Sequence, residues 1–311
     1  MRLTLRNYKA PDDYWRIRQF LREVFVLNDR RELSWHVVRF DYWRWHGVEN
    51  LEHFPLEEVV FLWEADGGQI AAVLNPEGKG EAFLQVHPGF RTPELEEEML
   101  AVAEERLSVP GPNGRKKLCV WASADDDVRQ NILARRGYVK GDGPEHQRRR
   151  SLDEPIVEAQ TPPGYAVRPM GDGAELLERC YTSGLAFHPD DILIAVENRA
   201  DASWYRNIQN APLYRRDLDI VAVAPDGAVA SFCTVWFDDV TRTACFEPVA
   251  TAPAYQRRGL GKAVLCEGLR RLKRMGATMA FVGGYSPRAN ALYASVGFAE
   301  YNLSEPWVKE A

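Results

Sequence analysis

The chain has 311 residues, of which 45% are hydrophobic and 27% charged, and its net charge is −6. This length suits two domains of about 150 residues each, and the composition excludes a disordered or collagen-like chain. The excess of acidic residues argues against a nucleic-acid partner, and no stretch approaches the roughly 18 consecutive apolar residues of a membrane span.

The first half of the chain contains a series of strands and helices. Runs of β-branched and aromatic residues predict strands, and apolar residues at helical spacing predict helices. An Asp-Gly turn at 66–68 between two such strands is typical of a hairpin. In chain order we predict a strand at 3–6, a helix at 12–25, strands at 59–64, 70–74 and 82–86, a helix at 94–107, a strand at 117–121 and a helix at 128–135.

A segment with neither periodicity separates this series from a second one. Residues 153–164 are acidic and contain three prolines, which indicates a linker between domains at 1–152 and 165–311. In the second domain we predict a strand at 166–168, a helix at 173–183, strands at 220–223, 229–235 and 244–251, a helix at 260–275, a strand at 278–282 and a helix at 287–296.

Both halves therefore show the same order of elements. Their Asp-Gly turns, at 67 and 227, lie 160 positions apart, and so do Gly137-Tyr138 and Gly297-Phe298. This repetition indicates a duplication. Each half combines hairpins with one strand–helix–strand crossover, which predicts an α+β architecture of two similar domains. In each, a mixed, mostly antiparallel twisted sheet is flanked by helices.

The second half contains a glycine-rich loop between a strand and an amphipathic helix. Gly259 and Gly261 allow backbone N–H groups to converge at the start of that helix, a geometry that binds a pyrophosphate. Arg257, Arg258 and Lys262 add positive charge. For these residues alone, a glycine-containing turn with an exposed basic face is the alternative. Neither GxxxxGK[ST] nor GxGxxG is present.

Two motifs together resemble those of the GNAT acetyltransferase superfamily. Gln256-x-x-Gly-x-Gly follows a V-x-T-x-P strand end, as in the acetyl-CoA motif of that superfamily. Leu292-Tyr293 with Gly297-Phe298 is similar to its short-helix motif. The resemblance covers residues 164–311, and covers the first half only in the order of elements. The tandem layout is similar to that of mycothiol synthase-type enzymes.

The resemblance implies two tandem GNAT-like domains and acetyl-CoA as co-substrate, with no metal. Pantetheine would lie beside the strand that ends at Thr251, and the pyrophosphate would lie at the glycine loop. The short helix would touch the coenzyme through Asn290. The implied coenzyme-binding residues are Val249, Ala250, Thr251, Gln256, Arg257, Arg258, Gly259, Leu260, Gly261, Lys262 and Asn290.

The resemblance also implies direct attack by an amine on the acetyl thioester. Tyr293 matches the family's general acid, although it also suits a core aromatic of the short helix. Glu247 is a candidate base, acting through water, or alternatively a buried or solvated strand acid; many members carry the acid two positions earlier, where this chain has Cys245. Strand alternation predicts Glu247 on the face of Val249 and Thr251. Pro248 predicts a bulge or an unpaired position in this strand.

The glycine loop has no counterpart in the first half. Alignment of the prolines at 88 and 253 places Glu94 and Glu96 opposite Gly259 and Gly261. Because carboxylates repel a pyrophosphate, we expect residues 1–152 to be a degenerate, non-catalytic copy.

These observations predict an N-acetyltransferase that acts on a primary amine of a small molecule, as a monomer or homodimer. The five cysteines are far apart and form no CxxC pair, which favours reduced, mostly buried thiols and a cytoplasmic location. Two alternatives stay open. One is a non-catalytic acyl-CoA-binding regulatory or partner protein, and the other is a protein or peptide N-terminal acetyltransferase with an open groove beside residues 184–210.

Overall fold

The structure of the protein is a computed structural model that describes residues 2–112 and 114–310. Up to Ser151 the chain forms these elements: β1 (Thr4–Asn7), α1 (Asp12–Leu27), α2 (Val37–Tyr42) continued by a π-helical segment (Trp43–Glu52), α3 (Leu56–Val59), β2 (Phe61–Glu64), β3 (Ile70–Asn75), β4 (Glu81–Val86), α4 (Pro93–Arg106), β5 (Val109–Pro110), β6 (Lys116–Ser123), α5 (Asp127–Arg135), β7 (Val139–Lys140) and β8 (Glu145–Ser151).

Between Ser151 and Ala166 the described chain contains no helix or strand. The segment predicted as a linker, 153–164, nevertheless lies within a single compact unit, where Ile156 and Ala159 pack against the core. The remaining elements are β9 (Ala166–Pro169), α6 (Ala174–Phe187), α7 (Ile192–Ala200), α8 (Ser203–Gln209), β10 (Asp219–Val223), β11 (Val229–Asp238), β12 (Thr243–Thr251), α9 (Leu260–Arg274), β13 (Met279–Gly284), α10 (Pro287–Ser295) and β14 (Glu300–Glu310).

The chain forms two compact units whose boundaries differ from the predicted ones. The first unit holds the chain up to Gln147 and again from Asn302, and the second holds Arg148–Tyr301. The prediction that 302–311 belongs to the second domain is therefore wrong. Within the first unit, β14 pairs antiparallel with β6 from Ser304 opposite Ser123 onward. Pro306 lies within this strand, opposite Trp121.

In the first unit the strand order is β1-β2-β3-β4-β6-β14. Only β4 and β6 pair in parallel, and the other neighbours on this path are antiparallel. The core lies between this sheet and α4, whose Met99 and Leu100 pack with Trp63 and Leu84. The predicted hairpin forms between β2 and β3, with Gly67 at a φ of +85° that favours glycine.

In the second unit the order is β8-β13-β12-β11-β10-β9. The β12–β13 pair is parallel, whereas β9, β10, β11 and β12 pair antiparallel. The predicted apolar face of α9 is buried against this sheet, with Leu265 and Leu269 in the core. Gly268 permits this approach, since a Cβ there would lie 2.7 Å from the Phe246 ring.

Both units thus have the predicted α+β architecture, a mixed and mostly antiparallel sheet with helices. Sequence analysis assigned no element to α7, α8, β8 or β14. The polar strand β8 depends on tertiary contacts: Arg148 donates to the Phe298 carbonyl at 2.9 Å and Arg150 to the Val296 carbonyl at 2.5 Å. No helix in the described part of the chain is long and apolar enough to cross a membrane.

Candidate functional site

The sheet of the second unit opens between β12 and β13. These strands pair only from Thr243 opposite Met279 to Cys245 opposite Phe281. Beyond that point β12 continues to Thr251 and β13 to Gly284. The two strands therefore part, and they leave a gap bordered by the second half of β12.

The register of β12 decides which backbone groups face this gap. The Ala252 N–H donates to the Ala230 carbonyl at 3.0 Å, and Ala250 lies opposite Phe232 of β11. Because alternate residues of an antiparallel strand bond to the same neighbour, Ala250 also faces β11. The N–H groups of Val249 and Thr251 consequently face the gap.

A cavity of about 350 Å³ opens at this gap. Its lining combines the end of β12, the following loop and the first turns of α9 and α10: Val249, Ala250, Thr251, Tyr255, Gln256, Arg257, Gly259, Leu260, Gly261, Lys262, Ser286, Arg288, Ala289, Leu292 and Tyr293. Three of these described residues are cationic and none is acidic, which favours an anionic ligand.

The start of α9 forms the polar end of the cavity. Gly259 precedes the helix with a φ of +81°, and Arg257 has a φ of +62°. Gly259 has no side chain to cap the helix, so the first N–H groups of α9 are available to an anion. A Cβ on Gly261 would lie 3.3 Å from Thr251 Oγ1 and 3.2 Å from Leu292 Cδ2, so this glycine keeps the space open.

Two residues predicted to contact the ligand do not line the cavity. The Arg258 guanidinium donates to the Tyr165 hydroxyl at 2.9 Å and to the Ala254 carbonyl at 3.0 Å. Asn290 is buried, and its Oδ1 accepts from Arg148 Nε at 2.6 Å. Both side chains are therefore engaged by the protein outside the cavity.

Conversely, the cavity includes Arg288, which sequence analysis did not select. Its Nη1 donates to Gln256 Oε1 at 3.1 Å, and Gln256 Nε2 donates to the Thr251 carbonyl at 3.2 Å. Helical spacing is the signal that would have found it, because Arg288 and Leu292 are four residues apart on the face of α10 that lines the cavity.

Tyr293 also lines the cavity and is only 6% exposed. Burial raises the pKa of its hydroxyl well above the usual value, and the charge of Glu247 raises this pKa further. In the described part of the chain the hydroxyl has no hydrogen-bond partner. The Tyr293 hydroxyl is therefore protonated and can donate a hydrogen bond to a ligand in the cavity.

The predicted bulge at Pro248 is present. Glu247 and Pro248 together stand opposite the single residue Thr234 of β11, between two regular stretches of pairing. The indole Nε1 of Trp236 donates to the Glu247 carbonyl at 2.5 Å. A buried tryptophan thereby fixes the backbone of the bulge.

The bulge overturns one expectation about Glu247. Phe246 belongs to the core beneath α9, and Val249 packs against the same cluster. Since these two residues share a face despite their odd spacing, the bulge shifts the alternation of β12. The prediction that Glu247 shares the face of Val249 and Thr251 is therefore wrong. Glu247 lies at the bulge, outside the cavity lining, and its charge acts on Tyr293.

The cysteines form no disulfide bond. Cys180, Cys233 and Cys266 are buried, whereas Cys119 and Cys245 are partly exposed. Burial raises the pKa of Cys180 to about 11 and that of Cys233 well above its usual value. Among the described residues no group of three His, Cys, Asp or Glu side chains could hold a metal ion.

In the first unit, the loop that leads into α4 has its polar groups bonded to side chains of the same unit. Thr92 caps α4 by accepting from the Leu95 N–H at 3.2 Å. Glu96 is fully buried, and it accepts from Arg129 Nε at 2.9 Å and from Arg91 Nε at 2.5 Å. Arg91 also bonds the Asp126 carboxylate at 2.6 Å. The cations of this loop are therefore already paired with carboxylates.

The chain is similar in sequence to known acetyltransferases. Residues 175–298 match the family model described as "Acetyltransferase (GNAT) family". A mycothiol acetyltransferase of Pseudarthrobacter chlorophenolicus is 23% identical over 247 residues, which are 76% of this chain and 72% of that protein.

Two solved structures resemble the whole chain. The tandem GNAT protein from the clavulanic acid biosynthesis pathway has a TM-score of 0.69 at 15% identity, over 99% of this chain and 98% of that chain. A GCN5-related N-acetyltransferase from Sphaerobacter thermophilus has a TM-score of 0.63 at 17% identity, over 99% and 95%. At such identities the likeness concerns the fold, which is that of two GNAT-like domains in tandem.

Proposed function

Because residues 175–298 belong to the acetyltransferase (GNAT) family and the protein is therefore an acyltransferase, we propose that it transfers acetyl from acetyl-CoA to a primary amine of a small molecule. The observation that carries this proposal is the cavity at the β12–β13 gap. It combines unpaired strand N–H groups, a helix N-terminus and a lining with three cations and no described acid.

The cavity suits the two chemical parts of acetyl-CoA. The first N–H groups of α9, with Arg257 and Lys262, are available to a pyrophosphate. Neither cation has a hydrogen-bond or ion-pair partner among the described residues. The N–H group of Thr251 would pair with pantetheine as an added strand does.

The residues around the thioester end suit direct transfer. A lysine-like amine has a pKa of about 10.4 and must lose a proton before it attacks; Glu247 would accept this proton through water. The amine nitrogen then bonds to the acetyl carbon as the C–S bond breaks, and Tyr293 gives its proton to the leaving thiolate. The second proton that the nitrogen loses as the amide forms passes through water to restore the Tyr293 hydroxyl. The Val249 N–H is oriented to stabilise the oxygen that becomes negative during attack.

We propose further that the first domain binds no coenzyme. Thr92 already satisfies an N–H group at the start of α4, and Glu96 holds the position that Gly261 has in the second domain. An incoming pyrophosphate would have to displace the buried Glu96 carboxylate from Arg129 and Arg91, which strongly opposes binding.

The test is an assay of acetyl transfer from acetyl-CoA to a panel of small amines, in which turnover is measured as the release of the free thiol of coenzyme A. We expect turnover by the wild type and a loss of about 10²- to 10⁴-fold in kcat for Tyr293→Phe and Glu247→Gln, the range of general acid–base catalysis. Unchanged kcat in both variants would reject the catalytic roles. Binding of acetyl-CoA without turnover of any amine would favour the acyl-CoA-binding alternative.

A further inference from the structure

Arg288 lines the same cavity as the N-terminus of α9 but belongs to a separate helix, α10. We propose that Arg288 binds a phosphate group of the coenzyme and that Gln256 is its positioning residue, so that residues of two helices hold the phosphate end. This inference rests on the proposed function and adds a residue that sequence analysis did not select.

The charge environment of Arg288 supports a role in binding an anion. The side chain lines the cavity, and no carboxylate pairs with it in the described part of the chain. Its one hydrogen bond, to Gln256 Oε1 at 3.1 Å, uses one of the five N–H donors of a guanidinium. The remaining donors suit the bidentate contact that arginine makes with phosphate.

Gln256 holds the guanidinium in place. Its Nε2 is anchored to the Thr251 carbonyl at the end of β12, while its Oε1 faces Arg288. A neutral amide orients the guanidinium without neutralising it, whereas a carboxylate there would compete with a phosphate. The loop and α10 are thereby linked at the polar end of the cavity.

Arg258 provides the contrast. It lies in the glycine loop, where sequence alone predicts a phosphate contact, but it is bound to Tyr165 and Ala254 outside the cavity. The cations available to a phosphate are therefore Arg257, Lys262 and Arg288. The variants Arg288→Gln and Arg258→Gln each remove one positive charge. Comparing them shows which of the two arginines binds the phosphate.

The experiment is calorimetric titration of the full-length protein with acetyl-CoA, with thermal unfolding as a check on folding. We expect Arg288→Gln to raise Kd about 10- to 100-fold, the range of a lost charge-assisted hydrogen bond, and Arg258→Gln to leave Kd within about twofold. The same titration with acetyl-3′-dephospho-CoA assigns the contact. If Arg288→Gln still raises Kd for this ligand, Arg288 contacts the pyrophosphate. If Arg288→Gln no longer changes Kd, Arg288 contacts the 3′-phosphate of the ribose.

The positioning role has its own readout. Gln256→Met should raise Kd in the wild-type background and have little further effect in the Arg288→Gln background, because the two residues act together. An unchanged Kd for Arg288→Gln, or a loss confined to Arg258→Gln, would overturn the inference while leaving the proposed function intact. A wild type that binds no acetyl-CoA would overturn both.

Discussion

Replacement of Gly261 by glutamate should abolish coenzyme binding without unfolding the protein. Gly261 is the second residue of α9, and a Cβ at this position already approaches Thr251 and Leu292, both of which line the cavity. A glutamate would extend its carboxylate into the polar end of the cavity. The first domain has this arrangement in Glu96, which pairs with its own arginines.

The expected loss follows from simple electrostatics. A carboxylate about 4 Å from a phosphate costs about 4 kcal/mol at an effective dielectric constant of about 20. This corresponds to a loss of affinity of about 10³-fold, to which the filled volume adds. Folding should be retained, since glutamate is a better helix former than glycine and its charge suits the first turn of a helix.

The assay is calorimetric titration with acetyl-CoA beside a thermal melt of each variant. Gly261→Ala is the matched control, because its Cβ requires neighbouring atoms to move by only a few tenths of an ångström. We expect a loss of less than about tenfold for alanine. A folded Gly261→Glu variant that binds acetyl-CoA within tenfold of the wild type would refute this assignment of the cavity.

Three further predictions concern the bulge, the acid and the first domain. Trp236→Phe removes the hydrogen bond to the bulge carbonyl and should lower kcat by up to about tenfold at an unchanged Kd for acetyl-CoA; equal kcat in steady-state assays would argue against this role. Because the pKa of Tyr293 is raised, its loss as a proton donor should begin only above about pH 10. An alkaline fall in kcat below that pH which Tyr293→Phe removes would contradict this. Glu96→Gln leaves Arg129 without its closest carboxylate and should lower the free energy of unfolding, measured in urea, by about 3–5 kcal/mol. Glu97→Gln, at a more exposed carboxylate, should lower it by at most about 1 kcal/mol. Equal losses in the two variants would show that the buried network is not stabilising.

The Glu96 contribution should also depend on pH. Burial alone would raise the pKa of Glu96, but Arg129 and Arg91 hold it below its usual value. A carboxylate with a lowered pKa stabilises the folded state above its unfolded value of about 4.3 and loses this effect as the pH falls further. The difference in stability between wild type and Glu96→Gln should therefore shrink below about pH 4.

The elements predicted correctly are those that local patterns specify. The apolar face of α9 and the Asp-Gly hairpins need only neighbouring residues for their definition. By contrast, the place of β14 depends on the partner strand that it finds far along the chain. The strand β8 is rich in arginine, and its side chains are accommodated by carbonyls such as those of Val296 and Phe298, which lie far along the chain.

For the site, the sequence indicates the loop but not the direction of each side chain. Arg258 is directed to Tyr165, a residue 93 positions away, and no spacing rule reveals this contact. The bulge at Pro248 was predictable from the proline. Its effect on Glu247 was not, because a one-residue insertion changes the face of every residue beyond it.

The most direct test is a crystal structure of the protein with acetyl-CoA. The account predicts one molecule per chain, with its pyrophosphate at the N–H groups of Gly259 to Lys262 and its thioester beside Val249. Acetyl-CoA bound in the first domain, or bound elsewhere with the gap between β12 and β13 left empty, would contradict the central claim.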